Sequence, residues 1–294
     1  MYKNYPKITI VTPSYNQGQY LEQTILSIIE QNYPNLEYII IDGGSTDNSV
    51  EIIKKYEKHL TYWVSEKDKG QYDAIQKGFE KSSGEIMGWL NSDDMLQPYS
   101  LFTIGQIFGD FQQVQWLQGF PNVIDENNRI VYARSGKELT KSFFYQKKHL
   151  TTGMYIQQES TYWRRSLWEK VGSTISQEYK YAGDFELWIR FFQYVKLHNI
   201  DAMLGTFRLR KEGQASTKHY DEYVAESLDI LEAYPLTRRE YQLQEKTLLY
   251  ENFKLKINMI LLRIFRRFIH HDTSLSNENL YFNTKTQTFL YRNA

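Results

Sequence analysis

Cysteine is absent from all 294 residues. That excludes a disulfide framework, a thiolate metal site and a cysteine nucleophile, so any metal must be held by oxygen or imidazole. An excess of either charge is missing too: Lys plus Arg number 35 and Asp plus Glu number 35. No overall field draws the molecule toward a polyanion, and no nucleic-acid partner is expected. No stretch reaches the roughly 18 apolar residues of a membrane span; residues 257–264 form only a short, interrupted run. Residues 1–7 lack the apolar core of a signal peptide, so the expected location is cytoplasmic. The six histidines show no H-E-x-x-H spacing, and no G-x-S-x-G elbow occurs, which sets aside zinc and serine hydrolases.

What is present is a strand–helix alternation. Residues 8–12 read I-T-I-V-T, a β-branched run that Pro13 is expected to stop, and Leu21, Ile25, Ile28 and Ile29 then recur at helical spacing. Residues 38–41 form a second apolar run, after which Ser45 is placed to cap a helix carrying Val50, Ile52 and Ile53. A third strand is expected over 61–64, a third helix over 71–81 and a fourth strand over 85–90. This order predicts an α/β fold, a mostly parallel sheet with helices on both faces. Beyond about residue 100 the alternation fades into an irregular aromatic region, with helices expected again over 184–194, 221–234 and 239–271.

In open parallel sheets ligands sit beyond the carboxyl ends of the strands, and here those segments are polar. Asp93 and Asp94 follow the fourth strand directly, and adjacent carboxylates suit a hard cation such as Mg2+ or Mn2+, although a solvated turn would carry them as well. The Asp42-Gly43-Gly44-Ser45-Thr46-Asp47 segment lets backbone approach a ligand ahead of a helix N-terminus, or simply makes a capped turn. Thr12-Pro13-Ser14-Tyr15-Asn16-Gln17 offers an aromatic face and amides suited to a base and ribose, but no glycine-rich phosphate cradle. The Glu66–Asp73 stretch is dense in carboxylates, equally consistent with ligand contact and with surface ion pairs. Asp184 opens an apolar helix, where it serves as an N-cap, or as a general base if it faces the cleft. Glu159, beside Trp163, is a second candidate base. Residues 252–271 hold five Lys and Arg and no acid, with a wide apolar arc, as suits an interfacial helix near anionic lipid or one packed on protein, including a homodimer partner.

In order along the chain, Thr12-Pro13-Ser14-Tyr15-Asn16, Asp42-Gly43-Gly44-Ser45-Thr46-Asp47, Asn91-Ser92-Asp93-Asp94 and Gly183-Asp184-Phe185-Glu186-Leu187-Trp188 closely resemble the family-2 glycosyltransferases. The resemblance runs from residue 7 to about 216 and implies a GT-A fold. Residues 1–100 would be a nucleotide-sugar half, 101–218 an acceptor half, and 219–294 a helical C-terminal extension. It further implies an inverting, metal-dependent hexosyltransferase, with a UDP-sugar as donor and a hydroxyl of a saccharide, lipid-linked or free, as acceptor. The Glu66–Asp73 stretch and Gln158–Arg165 resemble the branch that builds bacterial surface polysaccharides at the inner face of the plasma membrane.

Carried over position by position, the resemblance places Thr12, Pro13, Tyr15, Asp42, Asp68, Asn91 and Asp93 around the donor. It assigns Asp94 with Asp93 to a Mn2+ or Mg2+ ion, Asp184 to the catalytic base, and Glu159, Trp163 and Trp188 to the acceptor side. Three positions depart from the family's common pattern: Gly43 for a second acid, Asn91 for an Asp, and Gly183 for a Glu ahead of the base. The rival readings are a sugar-1-phosphate nucleotidyltransferase, which would need a Gly-rich basic loop after the first strand, and a non-catalytic nucleotide-sugar scaffold at a membrane.

Overall fold

The computed structural model describes residues 5–133, 139–210 and 218–246, together with 279–283 and 288–292. The first half alternates as expected: β1 (Ile8–Ser14), α1 (Gly18–Ile29), β2 (Leu36–Asp42), α2 (Ser49–Tyr56), β3 (Tyr62–Ser65), α3 (Gln71–Glu80) and β4 (Ile86–Trp89). The second half is built from shorter pieces: β5 (Met95–Leu96), α4 (Ser100–Asp110), β6 (Trp116–Gln118), β7 (Asn122–Ile124), β8 (Ile130–Ala133), α5 (Lys141–Tyr145), α6 (Lys148–Thr152), β9 (Thr161–Arg164) and α7 (Arg165–Lys170). Then come α8 (Gly183–Phe191), β10 (His198–Asn199), β11 (Gly205–Arg208) and α9 (Tyr220–Ala233), and an antiparallel pair, β12 (Asn279–Asn283) with β13 (Thr288–Arg292).

Seven strands join in the order β10-β6-β9-β4-β1-β2-β3. All neighbours are parallel except β9, which runs antiparallel to both β4 and β6. Every residue of β1 is buried, because helices cover both faces of the sheet. Alternation divides the core accordingly. Val11, Ile39, Ile41, Met87 and Trp89 pack with α3 and α8 on one face. Ile8, Ile10, Tyr38, Ile40 and Ile86 pack with α1 and α4 on the other.

Two local expectations are corrected. Pro13 does not stop β1, which continues to Ser14; its pairing with β4 ends at Val11, so the missing N–H removes no bond on that side. Ser45 does not cap α2, which begins at Ser49 behind Asn48; the Ser45 hydroxyl instead donates to Asp42 Oδ1. The chain order around β1 matters for function. β2 follows on one side and β4 on the other, so a crevice opens where the carboxyl ends of β1 and β4 diverge. The basic helix expected over 252–271 lies outside the described residues. Among those described, no helix is long and apolar enough to cross a membrane.

Candidate active site

The crevice continues into a cavity of about 780 Å3 whose lining includes Pro13, Tyr15, Asp68, Asn91, Asp93, Glu159, Asp184 and Trp188. More than half of the chain separates Tyr15 from Asp184, yet one cavity holds both. Four other predicted residues stand behind this wall. Thr12 is buried with its hydroxyl 3.2 Å from that of Tyr38. Asp42 is buried beneath its own loop, where Oδ2 accepts from the backbone N–H groups of Gly44 and Ser45 and from the Ser65 hydroxyl. Asp94 is 1% exposed. Trp163, expected on the acceptor side, is fully buried in the core against Phe79, Trp89 and Trp188, because β9 sits between β4 and β6 and turns it into the sheet's covered face.

The three departures from the family pattern each have a local cause. A Cβ on Gly43 would lie 2.6 Å from Asp68 Oδ2, so glycine there leaves room for an acid brought from after β3. Asn91 accepts from Gln71 and donates to Asp94 Oδ2 at 3.3 Å, adding no charge beside a buried carboxylate. A Cβ on Gly183 would lie 2.7 Å from the Tyr72 ring, which stands where a side chain would otherwise point.

Carboxylates crowd the cavity and the wall behind it. Asp94 Oδ1 accepts from the Arg208 backbone N–H at 2.8 Å, and Asp93 Oδ2 lies 3.0 Å from Arg210 Nε. Burial, then the charges of Asp93 and Glu159, push Asp94 well above the usual carboxylate range. Burial also raises Asp93, with Arg210 pulling the other way. Glu159, whose Oε1 is buried with no hydrogen-bond partner, is pushed up to about 8 by burial, with Asp93 and Asp184 adding to the effect. Asp184 is raised to about 6 by burial, while the hydrogen bond from the Tyr72 hydroxyl, 3.3 Å from Oδ1, works against the shift. Such a carboxyl is ionised at neutral pH and basic enough to take a proton.

Oxygen-only donors under mutual repulsion are the chemistry a hard divalent cation relieves. Among the described residues no group of three acidic or imidazole side chains is arranged to cage an ion by itself. The arrangement therefore suits Mg2+ or Mn2+ shared with phosphate oxygens of a ligand, the mode in which one or two carboxylates suffice.

Residues missed in the sequence complete the site. Arg208 is fully buried: its Nε donates to the Asp93 carbonyl and an Nη donates to Asn128 Oδ1. Arg210 lines the cavity two residues further along. Their i, i+2 spacing around the end of β11, opposite two predicted acids, was the available signal. Tyr72, Tyr155, Tyr220 and Tyr223 line the cavity as well, and the Tyr155 and Tyr220 hydroxyls are 3.2 Å apart.

Trp188 fixes the orientation of α8. Its ring stacks on Trp89 with centroids 5.7 Å apart and planes at 6°, and on Trp116 at 5.4 Å. Asp184 precedes it by four residues, one turn along the same helix face, so the tryptophan packing also sets the direction of the carboxylate.

The sequence profile described as Glycosyl transferase family 2 matches residues 9–171. TuaG of Bacillus subtilis, provisionally assigned as a teichuronic acid biosynthesis glycosyltransferase, is 37% identical over 94 residues, covering 30% of this chain and 36% of that protein. The chain spans less than two fifths of the length of such curated relatives. Among solved structures, S. aureus TarS 1–349 in complex with UDP-GlcNAc is similar with a TM-score of 0.62 at 16% identity, over 80% of this chain and 69% of that one. The mannosyltransferase PcManGT from Pyrobaculum calidifontis, in complex with GDP-Man and Mn2+, gives a TM-score of 0.57 at 15% identity, over 77% of this chain and 65% of that one. Identities this low speak to the fold, which is GT-A. With the family profile covering more than half of its length, the chain belongs to glycosyl transferase family 2.

Proposed function

We propose that the protein transfers a sugar, with inversion, from a nucleoside-diphosphate donor to a hydroxyl of a saccharide acceptor. The observation that carries this reading is that Asp184, a carboxylate raised to about 6, and Asp93, ion-paired with Arg210, line one cavity. Asp184 takes the proton of the acceptor hydroxyl as that oxygen forms its bond to the anomeric carbon. The bond from that carbon to the phosphate oxygen breaks on the opposite face, and its electron pair leaves with the diphosphate. An α-linked donor then gives a β-linked product.

Pro13, Tyr15, Asp68 and Asn91 would meet the nucleoside and Glu159 and Trp188 the acceptor, a reading supported by their all lining the one cavity. Asp93, with Asp94 behind it, would hold a Mn2+ or Mg2+ ion, which when bound offsets charge on the departing diphosphate. Arg210 contributes a fixed positive charge to the same wall. The TarS complex supports UDP as the nucleotide, the PcManGT complex supports the cation, and the provisional role of TuaG supports surface polysaccharide synthesis as the setting.

The test is Asp184→Asn in the full chain, with Mn2+, UDP-GlcNAc as donor and a saccharide acceptor panel. Base catalysis contributes about 10²- to 10⁴-fold, so UDP release should fall by that factor while UDP still raises the melting temperature. Undiminished release would overturn the mechanism.

A further inference from the structure

The helix α9 lies wholly beyond the segment that matches the family profile, and it carries a carboxylate that reaches into the catalytic loop. Glu226 accepts three successive backbone N–H groups: Oε1 from Lys180 at 2.9 Å, and Oε2 from Tyr181 and Ala182 at 2.8 Å each. The next two residues are Gly183 and Asp184. We propose that Glu226 is a positioning residue for the transfer reaction, clamping the 180–182 backbone so that Asp184 is aimed into the cavity. This rests on the reading of Asp184 as the base.

A simple helix cap would not need this arrangement. Ala182, at the N-cap of α8, has no side chain able to accept a hydrogen bond, and the turn ahead of it is held by an acid from another helix. That acid is itself anchored. Ser227, Ile230 and Leu231 of α9 are buried, and the Tyr234 hydroxyl donates to Glu186 Oε1 at 2.6 Å, pinning the far end of α9 to α8. Tyr220 and Tyr223, on the same helix, line the cavity. One rigid element thus shapes the acceptor wall and aims the base, so displacing α9 would uncouple both together.

Charge adds a signature that packing alone would not leave. The groups facing Asp184 are Tyr72 from α3, Tyr223 and Glu226 from α9, and Glu159 from the turn before β9. Both tyrosines are raised well above their ordinary range, first by burial and then by Asp184, so they stay neutral through the working pH range. Glu159 titrates higher, at about 8. The Glu226 charge raises Asp184, so removing it lowers the Asp184 midpoint and leaves the tyrosines unchanged.

The experiment compares the full wild-type chain with Glu226→Gln and Glu226→Ala, by amide hydrogen exchange and by carboxyl-carbon NMR titration assigned through Asp184→Asn. In the wild type the amides of Lys180, Tyr181 and Ala182 should be protected. Glu226→Gln should deprotect at least one of them and Glu226→Ala all three, both moving the Asp184 midpoint below about 6. With UDP-GlcNAc and Mn2+, UDP release at saturating donor should fall about ten- to a hundredfold in Glu226→Ala with the donor KM little changed. Unprotected wild-type amides, or an Asp184 midpoint unmoved in Glu226→Gln, would overturn the clamp whatever the activity. Full activity in Asp184→Asn would instead remove the reading of the base, leaving the exchange result to stand on its own.

Discussion

The α-carbon of Gly183 faces the Tyr72 ring so closely that a Cβ on it would sit 2.7 Å from Cε2. The loop that carries Asp184, from the second half of the chain, and the helix that follows β3 therefore interlock through a missing side chain. Tyr72 uses that space to place its hydroxyl 3.2 Å from the Tyr181 carbonyl and 3.3 Å from Asp184 Oδ1.

Gly183→Ala sets two effects against each other. Helix propensity alone favours alanine by up to about 1 kcal/mol. Overpacking a filled site costs about 1–3 kcal/mol, and here the ring that must move is buried and hydrogen-bonds Asp184. The variant should be less stable than wild type in urea, and its turnover should fall while UDP binding persists. A more stable, fully active Gly183→Ala would show that the ring gives way freely.

With Asp184 as the proposed base, the pH dependence of turnover follows from it. Its pKa is raised to about 6, so the ionised base is lost, and the rate with it, as pH falls through that value. The Tyr72 hydroxyl donates to the carboxylate and favours its charged form. Tyr72→Phe should move the acid limb of the pH–rate profile upward, the opposite of the shift expected from Glu226→Gln. Two opposed shifts from neutral-looking substitutions on different elements would identify one titrating group between them.

How much of this was legible in the sequence depended on element length. β1 to β4 are continuous apolar runs separated by helical periods, and the strand–helix order and the crevice follow from them. β6 and β9 have only three and four residues, too few for a period to emerge, so the region from 100 to 180 reads as irregular although it supplies two strands of the central sheet. Asp184 stood out because it opens a strongly apolar helix. Glu226 did not, since an acid on the polar side of a helix looks like any solvated charge until the loop it holds is seen. Trp163, which the resemblance assigned to the acceptor side, is turned by β9 into the core, a placement that neighbours in sequence do not reveal.

Trp188 offers a test of rigidity rather than of chemistry. It is 1% exposed and packed among Trp89, Trp116 and Trp163. Trp188→Ala should cost about 3–5 kcal/mol in denaturant unfolding, and Trp188→Phe distinctly less. Because Asp184 lies one turn away, the residual activity of Trp188→Phe should fall more than its stability explains. A phenylalanine variant with unaltered turnover would mean that the loop clamp, and not the tryptophan cluster, sets the base.

His149 contributes to acid stability. It is fully buried in α6, stacked on Phe185 with centroids 5.1 Å apart, and neither ring nitrogen has a hydrogen-bond partner. Burial lowers its pKa from 6.5 to about 4, so the folded protein keeps it neutral where the unfolded chain would protonate it. The unfolded state thus binds more protons between those two values, and stability rises with pH across that window. The contribution is complete above 6.5 and drains away as pH falls toward 4. From neutrality to pH near 5, this one ring should account for a loss of about 2 kcal/mol. Replacing it with phenylalanine removes the titration while keeping an aromatic face on Phe185. Urea unfolding of wild type and His149→Phe at the two pH values supplies the comparison. The wild type should lose about 2 kcal/mol more than the variant on acidification, and parallel losses would mean that the imidazole reaches water in the folded state.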